Sequence, residues 1–199
     1  MDKGIKLLIT DFDGTLVDTF YANYCAYRDA LDQCNIDLNE ATYRECFGLR
    51  FEAFMDKIDI TDLTTQAQIK ELKLQYYPRY FNELIPNIPL IEFLKAAKQT
   101  GISTAIASTA RKENLMNVLN YLELTSLFDF ILSGADVKKG KPSPEIYLKT
   151  LSITQVDASQ ALVFEDSQVG IEAAENAGIN YIRINTQFYG NRSKRPFGM

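Results

Sequence analysis

Asp11 and Asp13 stand two positions apart in the stretch LLITDFDGTLVDT, directly behind an apolar run and directly ahead of Gly14. Two carboxylates at the tip of a buried strand repel each other and lose hydration, so they call for a cation or a set of donors. Other stretches carry complementary chemistry. Ser108 and Thr109 follow the run ISTAIA, Lys138, Lys139 and Lys141 lie in KKGKPSPE, and Glu165 and Asp166 follow the run ALVF. Gathered on one rim, these groups would suit a phosphoryl group. Carboxylates hold a hard divalent cation, a lysine with hydroxyl or backbone donors takes the remaining phosphate oxygens, and a carboxylate oxygen is the nucleophile. The chain has no histidine, which removes Ser-His-Asp and Cys-His mechanisms and leaves acid-base work to Asp, Glu, Lys or Tyr.

Such a gathering needs a scaffold. Short apolar runs at residues 6–10, 102–107, 128–132, 161–164 and 181–184 read as strands, and from the second onward helical stretches separate them. Buried runs alternating with helices predict a parallel α/β sheet, whose ligands bind outside the carboxyl ends of the strands. Ser143, Pro144 and Glu145 predict an N-cap and first turn ahead of IYLKTL, and Ser167 opens a helix that stops at Gly178. The first crossover departs from this rhythm. No strand is expected between Asp13 and Ile102, where FYANYCAYRDALDQC, LNEATYRECF, FEAFMDKI and TTQAQIKELKLQYYPRYFNEL all carry helical periodicity. These segments predict a helical insertion over residues 18–84 in an α/β core of residues 1–17 and 85–199. The chain returns through Ile85-Pro86-Asn87-Ile88-Pro89, read as a stiff, extended hinge. Tyr76, Tyr77, Tyr80 and Phe81 lie at helical spacing and are expected to pack in the core or at the hinge.

With 46% hydrophobic and 24% charged residues the composition is that of an ordinary globular protein. A net charge of −5 argues against nucleic acid or an anionic membrane as the main partner, since both need a basic footprint. No run reaches the roughly 18 apolar residues of a membrane span, and MDKGIKLLITDFD lacks a signal-peptide pattern, so a cytoplasmic location is expected. Cys25, Cys34 and Cys46 form no CxxC pair and read as small apolar fillers in a reducing compartment. The basic terminal GNRSKRPFG reads as a solvated tail, and the sequence leaves monomer or homodimer undetermined.

The segments DFDGTLVDT, IAST, KGKPSPEIY and VFEDSQVGIEAAENAG, in this order and spacing, resemble the haloacid dehalogenase superfamily. The likeness is to its phosphatase and phosphomutase branch, which carries a helical cap after the first strand of a Rossmann-like core. The resemblance implies Asp11 as nucleophile forming an aspartyl phosphate, and Asp13 as general acid and base with its carbonyl on Mg²⁺. It further implies phosphate binding by Ser108 and Thr109, and Asp166 as a direct metal ligand with Glu165 direct or one step removed. Lys141 matches the family's lysine-proline, and Pro142 holds it extended ahead of a helix N-terminus. Asn23, Gly48 and Arg50 are the substrate-specificity candidates in the cap, which is expected to close over substrate.

The implied partner is a small phosphorylated metabolite, phosphoglycolate-like or a sugar phosphate first and a nucleoside monophosphate next. Beta-phosphoglucomutase uses a cap histidine that this chain lacks, which ranks hydrolysis above phosphomutase activity. Asp13 sets the chain apart from the dehalogenases themselves. The phosphonate-cleaving branch uses a cap lysine, for which Lys57, Lys70 and Lys73 are available but not placed. A signalling receiver domain would carry its acidic pair before the phosphoacceptor strand, and a non-catalytic binding module would not need Asp11, Asp13, Lys141 and Asp166 intact.

Overall fold

The computed structural model describes residues 4–185, so the GNRSKRPFG tail lies outside the described residues. The expected strands form at Leu7–Thr10 (β1), Ser103–Ala107 (β4), Phe130–Leu132 (β5), Ala161–Glu165 (β6) and Asn180–Arg183 (β7). They pair in parallel in the order β5-β4-β1-β6-β7. β1 is therefore central, with Thr10 level with Ile106 on one side and Phe164 on the other.

Alternation along LLIT divides the core, because successive side chains leave a strand on opposite faces. Leu8 joins Ile106 and Phe164 on the face covered by Ile88–Gln99 (α5) and Lys112–Tyr121 (α6). Leu7 and Ile9 join Ala105, Ala107 and Val163 on the face covered by Glu145–Thr154 (α7) and Gln168–Asn176 (α8). Apolar spacing in α5, with Leu90, Ile91, Leu94 and Ala97 buried, supplies the stripe that seals the first face.

The insertion consists of Phe20–Asp32 (α1), Glu40–Cys46 (α2), Phe51–Lys57 (α3) and Leu63–Tyr76 (α4), followed by a 3-10 segment at Tyr77–Glu83. It has its own core of Phe20, Leu31, Tyr43, Phe54, Met55 and Ile69. Ala22 and Ala26, one turn apart on α1, pack with Tyr77, Phe81 and Leu84 into the sheet's first core, as the helical spacing of those aromatics predicts. All three cysteines are free, and no described helix is long and apolar enough to cross a membrane.

Two local expectations are corrected. Val17–Asp18 (β2) and Ile85–Pro86 (β3) pair antiparallel, so short strands do exist between Asp13 and Ile102. Two-residue strands carry no periodic signal, and their pairing is visible only once both ends of the insertion meet. Asn87 reinforces that junction, its N–H donating to Leu16 O at 2.8 Å and its side-chain amide to Thr15 O at 3.1 Å. Asn87 also caps α5, whose first turn takes up Pro89, so the extended return ends at Pro86. The second correction concerns α7, which starts at Glu145 with Pro144 in the cap position; the Ser143 hydroxyl only accepts the Glu145 N–H at 3.4 Å. Ser167 does cap α8, accepting from Gly170 N–H at 3.1 Å.

Candidate active site

β1 delivers Asp11 at its tip, where the Asp11 N–H continues the ladder to Phe164 O at 3.0 Å. The chain then turns sharply: Gly14 N–H donates to Val17 O at 2.8 Å with Gly14 at φ +92°, a conformation open to glycine. A Cβ on Gly14 would also fall 2.4 Å from Asp166 Oδ2, so the turn and the carboxylate at the end of β6 need the same missing side chain. Ser108 follows β4 and is buried. Its Oγ accepts from Ala110 N–H at 3.0 Å, which leaves the hydroxyl proton available to an incoming oxygen.

Lys141 arrives on the loop between β5 and α7. Glu145, the first residue of α7, accepts the N–H groups of Lys138 and Lys139 at 2.8 Å each and so ties that loop down. The Lys141 ammonium lies 2.6 Å from Asp11 Oδ1 and 2.5 Å from Glu165 Oε1, with its side chain only 5% exposed. Of the three candidate lysines, Lys141 is thus the one that reaches the acidic rim.

Glu165 is fully buried and fully engaged. Oε1 accepts from Lys141 and from Tyr147 OH at 3.1 Å, while Oε2 accepts the Ser167 N–H at 3.1 Å and its hydroxyl at 3.0 Å. A carboxylate has about four lone-pair sites, so this arrangement orients Lys141 and leaves Glu165 little to offer a metal. Asp166 is freer, accepting on Oδ1 from Thr15 Oγ1 at 2.7 Å. Oxygens of Asp11, Glu165 and Asp166 lie within 4.8 Å of one another.

Burial dominates the proton affinities of the rim. It pushes the Asp11 carboxyl up, with Lys141 opposing and Glu165 and Asp166 adding to the rise. Asp166 is pushed up to about 6, again chiefly by burial. Asp13 is raised by burial against the opposing hydrogen bond from Thr19. Burial works against the Lys141 charge, but Asp11, Tyr147 and Glu165 hold it well above the ordinary lysine range. Three close carboxylates facing one ammonium leave unbalanced negative charge, and the all-oxygen donors of Asp11 and Asp166 fit a hard divalent cation.

Thr15, Thr19, Tyr147 and Ser167 hold the acidic residues in place, and Glu145 holds the lysine loop. Sequence reading assigned none of them these contacts, although Thr15 and Thr19 lie in the quoted DFDGTLVDT and Tyr147 in KGKPSPEIY. From the insertion, Asn23 donates to Thr19 O at 3.1 Å and reaches the Tyr77 hydroxyl. Arg50 donates to Lys138 O at 3.3 Å and packs so tightly on Gly140 that a Cβ there would lie 2.6 Å from its Nε. Gly48 turns the chain between α2 and α3 at φ +88°, and a Cβ there would meet nothing within 4 Å. Lys57 and Lys70 pair with Glu45 and Glu52, whereas Lys73 is buried where the Asp13 charge acts on it.

Residues 8–184 match the family of haloacid dehalogenase-like hydrolases. The chain belongs to that family, in its phosphatase and phosphomutase branch. It is 32% identical to a phosphorylated carbohydrates phosphatase of Thermotoga maritima, over 89% of this chain and 84% of that protein. It is 26% identical to a phosphoglycolate phosphatase of Aquifex aeolicus, over 96% and 93% of the two chains. The crystal structure of a beta-phosphoglucomutase from Clostridium difficile superposes with a TM-score of 0.78 at 26% identity, covering 92% of this chain and 86% of that one.

Proposed function

We propose that this chain is a Mg²⁺-dependent phosphatase that hydrolyses a small phosphomonoester through an aspartyl phosphate on Asp11. Residues 18–84 then serve as a cap on the core of 1–17 and 85–199. The observation that carries this is the Lys141 ammonium held between Asp11 and Glu165 on the rim that also presents Asp13 and Asp166.

An Asp11 carboxylate oxygen attacks phosphorus in line, and the bond from phosphorus to the ester oxygen breaks. Asp13, whose carboxyl burial shifts toward its protonated form, gives its proton to the departing alkoxide. As a carboxylate it then takes a proton from water, whose oxygen attacks phosphorus and releases Asp11 and inorganic phosphate. Thr19 fixes the Asp13 carboxyl through its hydroxyl hydrogen bond. Lys141 and the Ser108 hydroxyl bind equatorial phosphate oxygens, with Thr109 contributing its backbone N–H beside them. Mg²⁺, held by Asp11, Asp166 and the Asp13 carbonyl, would supply the positive charge that offsets both the phosphate oxygens and the crowded carboxylates. Glu165, with its oxygens already occupied, is assigned to orienting Lys141.

The paired β2 and β3 strands at the ends of the insertion make a narrow hinge about which the cap closes to exclude water. Similarity to proteins named for phosphoglycolate and phosphorylated carbohydrates supports those substrate classes. The test is phosphate release from para-nitrophenyl phosphate with and without Mg²⁺. Turnover that requires Mg²⁺ and disappears in Asp11→Asn is expected; no release, or an Asp11→Asn variant as active as the parent, would overturn the proposal.

A further inference from the structure

Arg50 leaves the insertion at the start of α3, where it stands in the N-cap position two residues after the turn at Gly48. Its Nη1 donates to Lys138 O at 3.3 Å, and its guanidinium packs on Gly140. A Cβ on Gly140 would fall 2.6 Å from Nε, 3.1 Å from Cζ and 3.2 Å from Nη2. Gly140 lacks the positive φ that favours glycine, so its missing side chain matters for this close approach and not for the path of the backbone. Nη2 is buried with no hydrogen-bond partner among the described residues. One long hydrogen bond and packing therefore hold Arg50, a contact weak enough to release and re-form.

The backbone that Arg50 grips is the one that carries Lys141. Glu145 accepts the N–H groups of Lys138 and Lys139 from the core side, and Gly140 O accepts the Ser143 N–H at 3.0 Å. The peptide unit that joins Lys138 to Lys139 is thus held at both ends, its N–H by the core and its C=O by the insertion. Two residues on, the Lys141 ammonium stands 2.6 Å from Asp11 Oδ1. We propose that Arg50 is a positioning residue: docked on the backbone of residues 138–140, it latches the insertion to the lysine loop and holds Lys141 at Asp11 during phosphoryl transfer. When the insertion swings away on the β2–β3 ribbon, Arg50 leaves and the loop loses one of its two supports. Because the contact is with main chain, it acts alike on every substrate, in contrast to the substrate-choosing role expected from sequence. Arg50 takes this role in catalysis only if Asp11 performs the phosphatase chemistry proposed above.

The test is a double-mutant cycle between Arg50→Met and Gly140→Ala. The new Cβ meets the far end of a flexible side chain, so Gly140→Ala should evict Arg50 without straining the backbone. Each single variant should lower kcat/KM about tenfold, mainly through kcat and by the same factor for para-nitrophenyl phosphate and 2-phosphoglycolate. In the Arg50→Met background Gly140→Ala should cost less than about twofold more, because the contact it breaks is already gone. Arg50→Lys keeps a donor for Lys138 O and should recover part of the loss. Unchanged turnover, fully additive losses, or a loss that differs more than about fivefold between the two substrates would overturn the proposal. Amide hydrogen exchange over residues 134–143 reads the docking itself and needs no turnover. It should quicken in Arg50→Met and in Gly140→Ala, and an exchange rate equal to the parent's in both would also overturn the latch. A parent that hydrolyses neither substrate sinks the phosphatase function, a result that the exchange measurement keeps separate from failure of the latch. A melting curve on each variant confirms folding, and Arg50→Lys with Gly140→Ala decides the question if Arg50→Met fails to fold.

Discussion

Gly170→Ala separates two opposing effects in one helix. Gly170 lies inside α8, where replacing glycine by alanine in a helix interior gains about 1 kcal/mol. A Cβ at this position would lie 1.8 Å from Glu165 Oε1 and 2.0 Å from its Cδ, so the carboxylate must move. A free glutamate would swing aside at little cost. Glu165 cannot, because Lys141, Tyr147 and both donors of Ser167 hold its oxygens in a site with no solvent access. Breaking a buried ion pair costs about 3–5 kcal/mol, and subtracting the helix gain of about 1 kcal/mol leaves a net loss of about 2–4 kcal/mol. Urea unfolding followed by circular dichroism measures that difference against the parent. Phosphatase activity should fall with it, since Lys141 loses the partner that aims it at Asp11. A variant about 1 kcal/mol more stable with full turnover would show helix propensity acting alone and would refute the claim that Glu165 is pinned.

Tyr147→Phe removes one hydrogen bond to a buried charge and should cost about 1.5–3 kcal/mol in urea unfolding; a loss below about 0.5 kcal/mol would mean that Tyr147 does not hold Glu165. Asp13→Asn should lower kcat by about 10²–10⁴-fold with the melting temperature little changed, and a variant that keeps the parental rate would remove Asp13 from acid-base work. Metal binding should depend on pH with a definite sign. Asp166 rises from 3.8 to about 6 on folding, so the metal-free native state binds more protons than the unfolded state between those values. Its contribution to stability is full below about pH 4 and is lost as the pH rises through about 6. Mg²⁺ competes with that proton, so the rise in melting temperature on adding Mg²⁺ should be larger near pH 7.5 (about) than near pH 5 (about); an equal or smaller rise at the higher pH would contradict this.

The strands were legible because buried parallel strands must be short apolar runs, and all five were predicted within about two residues of their observed bounds. Asp11, Asp13, Ser108, Glu165 and Asp166 of the candidate site were legible because each lies in a short motif at or just beyond a strand end, and Lys141 because its lysine-proline pair stands just ahead of a helix. The β2–β3 ribbon was not, since its halves stand 67 positions apart from Asp18 to Ile85 and carry no pattern of their own. Lys73 was equally opaque: helical periodicity places a lysine on a face of α4 but does not say whether solvent or another element covers that face. Glu145 looked like an early acidic residue of a helix, yet its carboxylate accepts the backbone N–H groups of the lysine loop.

The sequence by itself therefore determined the sheet, the helical insertion and the residue types at the rim, because periodicity and motif spacing are local properties of the chain. Only the tertiary structure decided which oxygens remain available. Glu165 spends its oxygens on Lys141, Tyr147 and Ser167, Asp166 accepts from Thr15 on Oδ1 and packs against Gly14, and Lys73 is buried against the rings of Tyr27 and Tyr77. Those outcomes depend on desolvation and on pairings between residues far apart in the chain, and a linear pattern does not encode either one directly.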